Sequence, residues 1–401
     1  MRNMFAPKQN NVSMRFNTLG EMFFSNKYLI MVLLFPFFKN SGFDYISIFS
    51  PLCNALIAVE FILFFSICLV KKKGNVYYYL IVSLMVWTYI LAPIISGYDP
   101  PSSFYFMGAL GLLSLFEVGF SYNSKKILEA AGDLFFIMIA INYLLYCKYP
   151  SGLGTEQGTR VYFLGIRTGF SLYIIPGIMF NLLLDKCYKK KISIRTVAVI
   201  VIGTVLLLSE WVVTGLLELI IIIVLMILVN NKKLAPRINI FYITIALIVC
   251  DIALTVFGSK VKILDEVAIL FNKDVTFSGR TYIWEGIVKR LCESPWAGYG
   301  DDALALINGR WFPAHNQWLH TAMEGGYIAM ALLIIAVIIS SIHLYKNKNY
   351  NWYKIIAICS AAVLVGTITE IQTYVPFLYV IYDLPYLLEQ IGDLYETNGA
   401  L

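Results

Sequence analysis

Apolar runs of about 20 residues recur along the whole length of this chain, and no other feature limits its fold as severely. With 59% hydrophobic and 14% charged residues over 401 positions, that surface cannot all be hidden in one water-soluble core, so lipid is the main solvent. In hydrocarbon every backbone polar group must be satisfied internally, and an open chain achieves this only as helix. The runs fall at 22–38, 47–70, 77–96, 104–120, 127–146, 168–185, 195–209, 212–229, 238–257, 317–343, 353–370 and 373–390. They predict an all-α polytopic membrane protein of about 12 transmembrane helices. The first run is short and holds Pro36, and the last is interrupted by Pro376 and Pro385, so a re-entrant or interfacial course stays open for both.

Basic residues set the expected orientation. They crowd the connections Lys71-Lys72-Lys73, Lys125-Lys126, Lys186 to Arg195, Lys232 to Arg237 and Lys346 to Lys354, which alternate along the chain and are assigned to the cytoplasm. The short connections near 96–103, 209–211 and 370–373 carry no Lys or Arg and are assigned to the outside, with both termini inside. The net charge of +6 is accounted for by lysines flanking helices beside anionic lipid, with no basic-aromatic patch for nucleic acid. The seven cysteines are scattered without a CxxC, so neither a disulfide framework nor a metal site is read from them. Residues 1–27 are polar and lack a small-residue cleavage site after an apolar core, and no removable signal is expected. The partition is one membrane domain, 1–401, with a long external loop, 258–316, between predicted helices 9 and 10 as the expected catalytic loop.

The segment 277–329 concentrates the chemistry-bearing residues. It reads Ser278-Gly279-Arg280, Trp284, Ser294-Pro295-Trp296-Ala297-Gly298-Tyr299-Gly300, His315-Asn316 and Glu324-Gly325-Gly326. Ile283, Trp284, Ile287, Val288 and Leu291 recur at helical spacing and predict an amphipathic helix ended by Pro295, lying across the outer mouth of the bundle with its apolar side in the interface. Acids and bases balance in this loop, so it is no general anion trap, but a single guanidinium offers paired donors matched to phosphate oxygens. Arg280 has that chemistry at the positive end of the amphipathic helix. Arg160 and Arg167, on the other long outer connection, are seven apart and would share a helical face; they read either as further phosphate ligands or as residues snorkelling at the interface.

His315 stands directly before Asn316 at the outer end of a helix, where a neutral imidazole can accept a proton, and it is the candidate base. His320 and Glu324, four apart, have the spacing of a metal pair but no evident third ligand, so no metal is assigned. No GxSxG supports a serine hydrolase. Glu60, Glu117, Asp133, Glu218 and Asp251 lie within apolar runs, where each would cost about 2.5–3.5 kcal/mol facing lipid, so they are expected to face one another or a cavity. Such residues also serve proton relays, which keeps transport open as a function.

Together, Ser278-Gly279-Arg280 with Trp284, the 294–300 segment, and His315-Asn316 with Gly326 following resemble the long external loop of the O-antigen ligase and polymerase superfamily, bacterial membrane glycosyltransferases of polysaccharide export. The expected topology and Arg167-Thr168-Gly169 extend the resemblance over most of the chain. Two positions depart from the family pattern: Ala329 at its end, and Ser209-Glu210-Trp211 where relatives are often Ser- and Arg-rich. The resemblance implies a polyprenyl-diphosphate-linked oligosaccharide as donor, an acceptor glycan, and transfer at the outer face of the bacterial cytoplasmic membrane without a cofactor. On that reading Arg280, Arg167 and Arg160 neutralise the diphosphate, His315 is the base, and Asn316, Glu324 and Trp284 support it. A polymerase of repeat units for a surface polysaccharide is the preferred activity. A ligase acting on a lipid-core acceptor and a flippase of lipid-linked sugar are the alternatives, and a chain-length regulator and a separate flippase are the expected partners.

Overall fold

The computed structural model describes residues 20–390 apart from 47, 157, 190, 232, 234–238, 258–279 and 308. The N-terminal segment, Ser278-Gly279 and much of the expected loop 258–316 therefore lie outside the described residues. Helices stand on every apolar run read from the sequence: α1 (Lys27–Leu34), α2 (Phe49–Val70), α3 (Val76–Val86, continuing through a π turn to Ser96), α4 (Ser103–Lys148), α5 (Ser171–Leu184), α6 (Ile194–Ser209), α7 (Val213–Asn230), α8 (Ile240–Phe257), α10 (Gln317–Lys346), α11 (Tyr353–Gly366) and α12 (Phe377–Glu389). The amphipathic helix is α9 (Arg280–Leu291). Among the described residues five helical stretches are long and apolar enough to cross a membrane: Phe49–Val70, Val76–Ser96, Ser103–Lys148, Arg167–Tyr188 and Gln317–Lys346.

The 46-residue α4 covers two of the predicted runs. Its backbone leaves helical geometry at Asn123 (φ −158°, ψ 82°), between Tyr122 and Lys125. Tyr105 near its start lines the same cavity as Leu164, whose N–H donates to Asn142 Oδ1 near its end, so the chain turns back at Asn123 and the two halves run antiparallel. The Asn123 side chain accepts the Lys126 N–H at 3.1 Å and so caps the second half.

Lipid gives little hydrophobic drive for helix association, so close packing and polar pairs hold such a bundle together. Gly203 on α6 receives Ile174 of α5, and Gly177 on α5 receives Phe135 and Ile139 of α4, contacts a Cβ would obstruct. Phe38 and Phe377 bracket Phe135 at ring distances of 4.6 and 4.7 Å, joining the end of α1, α4 and α12. The carboxylates within the runs find polar or basic partners: Asp133 pairs with Lys27 and Arg195, Glu117 accepts from Asn75, Glu218 from Gln372, and Asp251 from Asn316. Glu60 is buried with Oε2 unpartnered.

The connections separate into two groups. Lys71 reaches Tyr122, Lys125 lies over the Tyr188 ring and Lys354 reaches the Val229 carbonyl, so several of the basic connections meet at one end of the bundle. At the other end the connections after α1, α3, α4, α9 and α11 converge on a common cavity. Two small antiparallel sheets, not anticipated from the sequence, lie in these connections: β1 (Gly154–Glu156), β2 (Thr159–Tyr162) and β3 (Gly165–Ile166) before α5, and β4 (Ala305–Ile307) with β5 (Arg310–Phe312) before α10.

Candidate active site

The start of α10 is the scaffold of the site. Asn316 caps it, its Oδ1 accepting the Leu319 N–H at 2.9 Å. His315 just before it has a left-handed backbone, φ 46°, an uncommon state for a side chain with a Cβ. Its neighbour is pinned: Trp284 Nε1 donates to the Ala314 carbonyl at 3.0 Å. Trp284 belongs to the predicted apolar face of α9, and Ile283, Trp284, Ile287 and Leu291 are buried as expected. That face, however, packs on Ala305 of β4, Ala314, Leu319 and Met323, in a second small core of protein, and not on the lipid interface. Burying it against α10 is what lets Trp284 reach the backbone beside His315.

Further along, α10 breaks at Gly325 (φ −133°, ψ 19°) and Gly326 (φ 72°, ψ −175°). A break frees backbone groups that must be satisfied elsewhere. The Tyr299 N–H donates to Met323 O at 2.6 Å, Trp87 Nε1 to Gly325 O at 2.7 Å, and the Tyr327 N–H to Pro295 O at 2.7 Å. The segment 294–300 is thus the complement of the Gly325-Gly326 break. A Cβ on Gly326 would lie 2.0 Å from the Trp296 carbonyl oxygen, so only glycine admits this docking.

Around this scaffold lies a cavity of about 630 Å³ lined by His315, His320, Glu324, Glu370, Tyr374 and Lys39 among others. A much smaller polar pocket continues beneath it past His320 and Glu324 to Thr88 and Tyr89. Burial lowers the His315 imidazole to about 4, with the charge of Arg280 and the neighbouring His320 acting in the same direction, so His315 is neutral at physiological pH.

The three predicted arginines are held by carboxylates and are not among the cavity-lining residues. Arg280 Nη2 lies 3.1 Å from Glu370 Oε1, so its first partner is an acid of the cavity wall and not an open anion site. Burial raises the Glu370 carboxyl, and Arg280 opposes that rise. Arg160 and Arg167 do not share a helical face. Arg160 is on β2 and Arg167 on the turn after β3, and the hairpin brings both to the buried Glu210, at 3.7 and 3.9 Å. Both remain about half exposed, 54% and 45%. The flanks of Arg167, Ile166 and Thr168, do line the cavity. His320 Nε2 and Glu324 Oε1 are 3.3 Å apart, so the pair expected at metal spacing contacts itself, and among the described residues no group of three or more potential ligands occurs.

Residues 196–334 match the family model described as O-antigen ligase. Over that stretch the chain is similar to the O-antigen ligase and polymerase superfamily. The matched stretch runs from α6 through the Gly325-Gly326 break and includes Glu210, Arg280, Trp284, His315, Asn316 and Glu324. The chain matches no curated protein and no solved structure.

Sequence reasoning missed Lys39, Glu370, Gln317 and Gln372. Gln317 Oε1 accepts the N–H groups of Gln372 and Thr373 at 2.7 and 2.9 Å, clamping the connection that carries Glu370. Only the short acidic connection 370–373 hinted at this, and nothing in the order of residues pairs it with Gln317.

Proposed function

We propose that this protein joins polyprenyl-diphosphate-linked oligosaccharide repeat units at the outer face of the cytoplasmic membrane, and that the cavity end of the bundle is the external end. The observation that carries the reading is the single cavity in which His315 stands neutral among walls bearing the carboxylate partner of Arg280 and the flanks of Arg167. A diphosphate leaving group needs charge neutralisation more than protonation, and guanidinium forks supply it. Glu210 and Glu370 hold the three arginines in place before substrate binds, and an incoming diphosphate competes for their remaining donors. His315 accepts the proton of the acceptor hydroxyl as that oxygen displaces the diphosphate in line at the anomeric carbon, with inversion. Asn316 and Trp284 position His315 through the capped and pinned backbone.

The matched family description favours a second reading, in which the same site passes a finished glycan to a lipid-core acceptor. A transporter reading draws less support, because Arg160 and Arg280 sit in connections and Arg167 at the end of an apolar stretch, with none of the three midway along a span. The test is to delete the gene in its native host and size the lipid-linked and surface glycan. Single repeat units that still reach the outside are expected. Long chains accumulating on the polyprenyl carrier would replace the polymerase by the ligase, and units retained inside would make the protein a flippase.

A further inference from the structure

The site contains a second histidine that the reaction above leaves unused. His320 lies in the first turn of α10, beyond the capping Asn316 that follows His315, is buried to 5% exposure, and lines both the main cavity and the small pocket beneath it. Its Nε2 contacts Glu324 Oε1 at 3.3 Å, while its Nδ1 has no hydrogen-bond partner. A buried imidazole nitrogen left unpartnered costs free energy unless something in the working cycle uses it. A carboxylate on one nitrogen with the other left free is the arrangement that orients a histidine and stabilises its imidazolium.

We propose that His320 and Glu324 are a proton-receiving dyad, taking from His315 the proton that the acceptor hydroxyl surrenders. The proposal rests on the glycosyl-transfer reading. In balance, the acceptor O–H bond breaks as its oxygen bonds the anomeric carbon, and the anomeric C–O bond breaks with its electron pair leaving on the diphosphate. The proton passes to His315, then to Nδ1 of His320, where the Glu324 carboxylate compensates the new charge, and finally to water through the cavity mouth. His315, lowered to about 4, holds a proton weakly and returns to its neutral form by handing it on. In the small pocket the titratable groups facing the dyad are phenols, Tyr89 of the π turn, Tyr105 of α4, Tyr374 of the connection before α12 and Tyr379 of α12, whose ordinary value of about 10 leaves them uncharged at neutral pH. The Tyr374 ring packs edge-on to His320 at 5.4 Å. The charged Lys39, Asp44, Glu156, Asp301 and Glu370 lie in the wall of the main cavity.

The test uses full-length protein in membranes of the deletion host, whose own lipid-linked glycan is the donor, with its consumption followed from about pH 5 to about pH 9. Glu324→Gln is expected to slow consumption about 10- to 100-fold. It should also move the acid limb of the profile to lower pH, because the imidazolium loses its counter-charge. His320→Gln should cause the same loss and abolish the limb, with the double variant no slower than either single one. Wild-type rates in both variants, or slowed rates with the limb unmoved, would overturn the dyad. If Glu324→Gln does not accumulate, His320→Gln decides by the same criteria. A parallel His315→Ala variant separates the two readings: an active one refutes His315 as base, whereas an inactive one beside wild-type dyad variants refutes the dyad alone.

Discussion

Asn316 Nδ2 donates to Asp251 Oδ1 at 2.6 Å, tying the capped start of α10 to a carboxylate buried in α8. Both side chains are almost wholly buried, and Asn316 also donates to the Ile368 carbonyl at 3.1 Å. One amide thus fixes where α10 begins, against which helix it sits, and where the connection after α11 runs. Asp251→Ala would strand that amide donor, at a cost of about 1–3 kcal/mol. Thermal unfolding in detergent should show the loss together with reduced donor consumption, while Asp251→Asn, which keeps an acceptor, should retain most of both. An alanine variant as stable as wild type would remove Asp251 from this role.

Arg280→Lys should lower transfer by about 10- to 100-fold, because an ammonium cannot bind Glu370 and a diphosphate oxygen with one planar fork. Polymer yield at equal protein level in membranes measures it, and near-normal yield would take Arg280 out of the mechanism.

Gly326→Ala meets two obstacles at once, a backbone at φ 72° and the Trp296 carbonyl 2.0 Å from the new Cβ. With ψ −175° this is a region essentially open to glycine alone, costing about 1–3 kcal/mol for a residue with a Cβ, and the contact is with backbone that cannot swing away. The 294–300 segment should detach, which limited proteolysis near Trp296 would reveal as faster cleavage than in wild type.

The lowered His315 gives a signed pH dependence. Between about 6.5, the ordinary value, and about 4 the unfolded chain binds a proton that the folded chain does not. This contribution to stability is therefore full above about 6.5 and is lost as pH falls towards about 4. His315→Gln should flatten that part of a stability profile measured by thermal unfolding; an unchanged slope would show that the half-buried setting of His315 does not lower its imidazole in solution.

Transfer should survive a chelator, since His320 already has Glu324 as its partner and no third potential ligand joins them among the described residues. Activity lost in chelator and restored by one divalent cation would contradict this.

Much of the architecture was legible from the order of residues, for a physical reason. Lipid demands long apolar helices, so their positions are written in the apolar runs, and the Lys125-Lys126 turn shows in the structure as the break at Asn123. The buried face of α9 was equally legible, because helical spacing places Ile283, Trp284 and Ile287 on one side whatever they pack against. What covers that face was not legible: an apolar stripe fits a lipid interface and a protein core alike.

The sequence by itself determined the helices, the grouping of basic connections, and the concentration of Arg280, Trp284, His315 and Asn316 in one stretch, since each follows from local composition and spacing. Only the tertiary structure decided which charge answers which: Glu370 for Arg280, ninety positions away, Glu210 for both Arg160 and Arg167, and Asp251 for Asn316. Such pairs depend on which helix ends become neighbours and on where a hairpin turns, and those are properties of the packed bundle that no single segment contains.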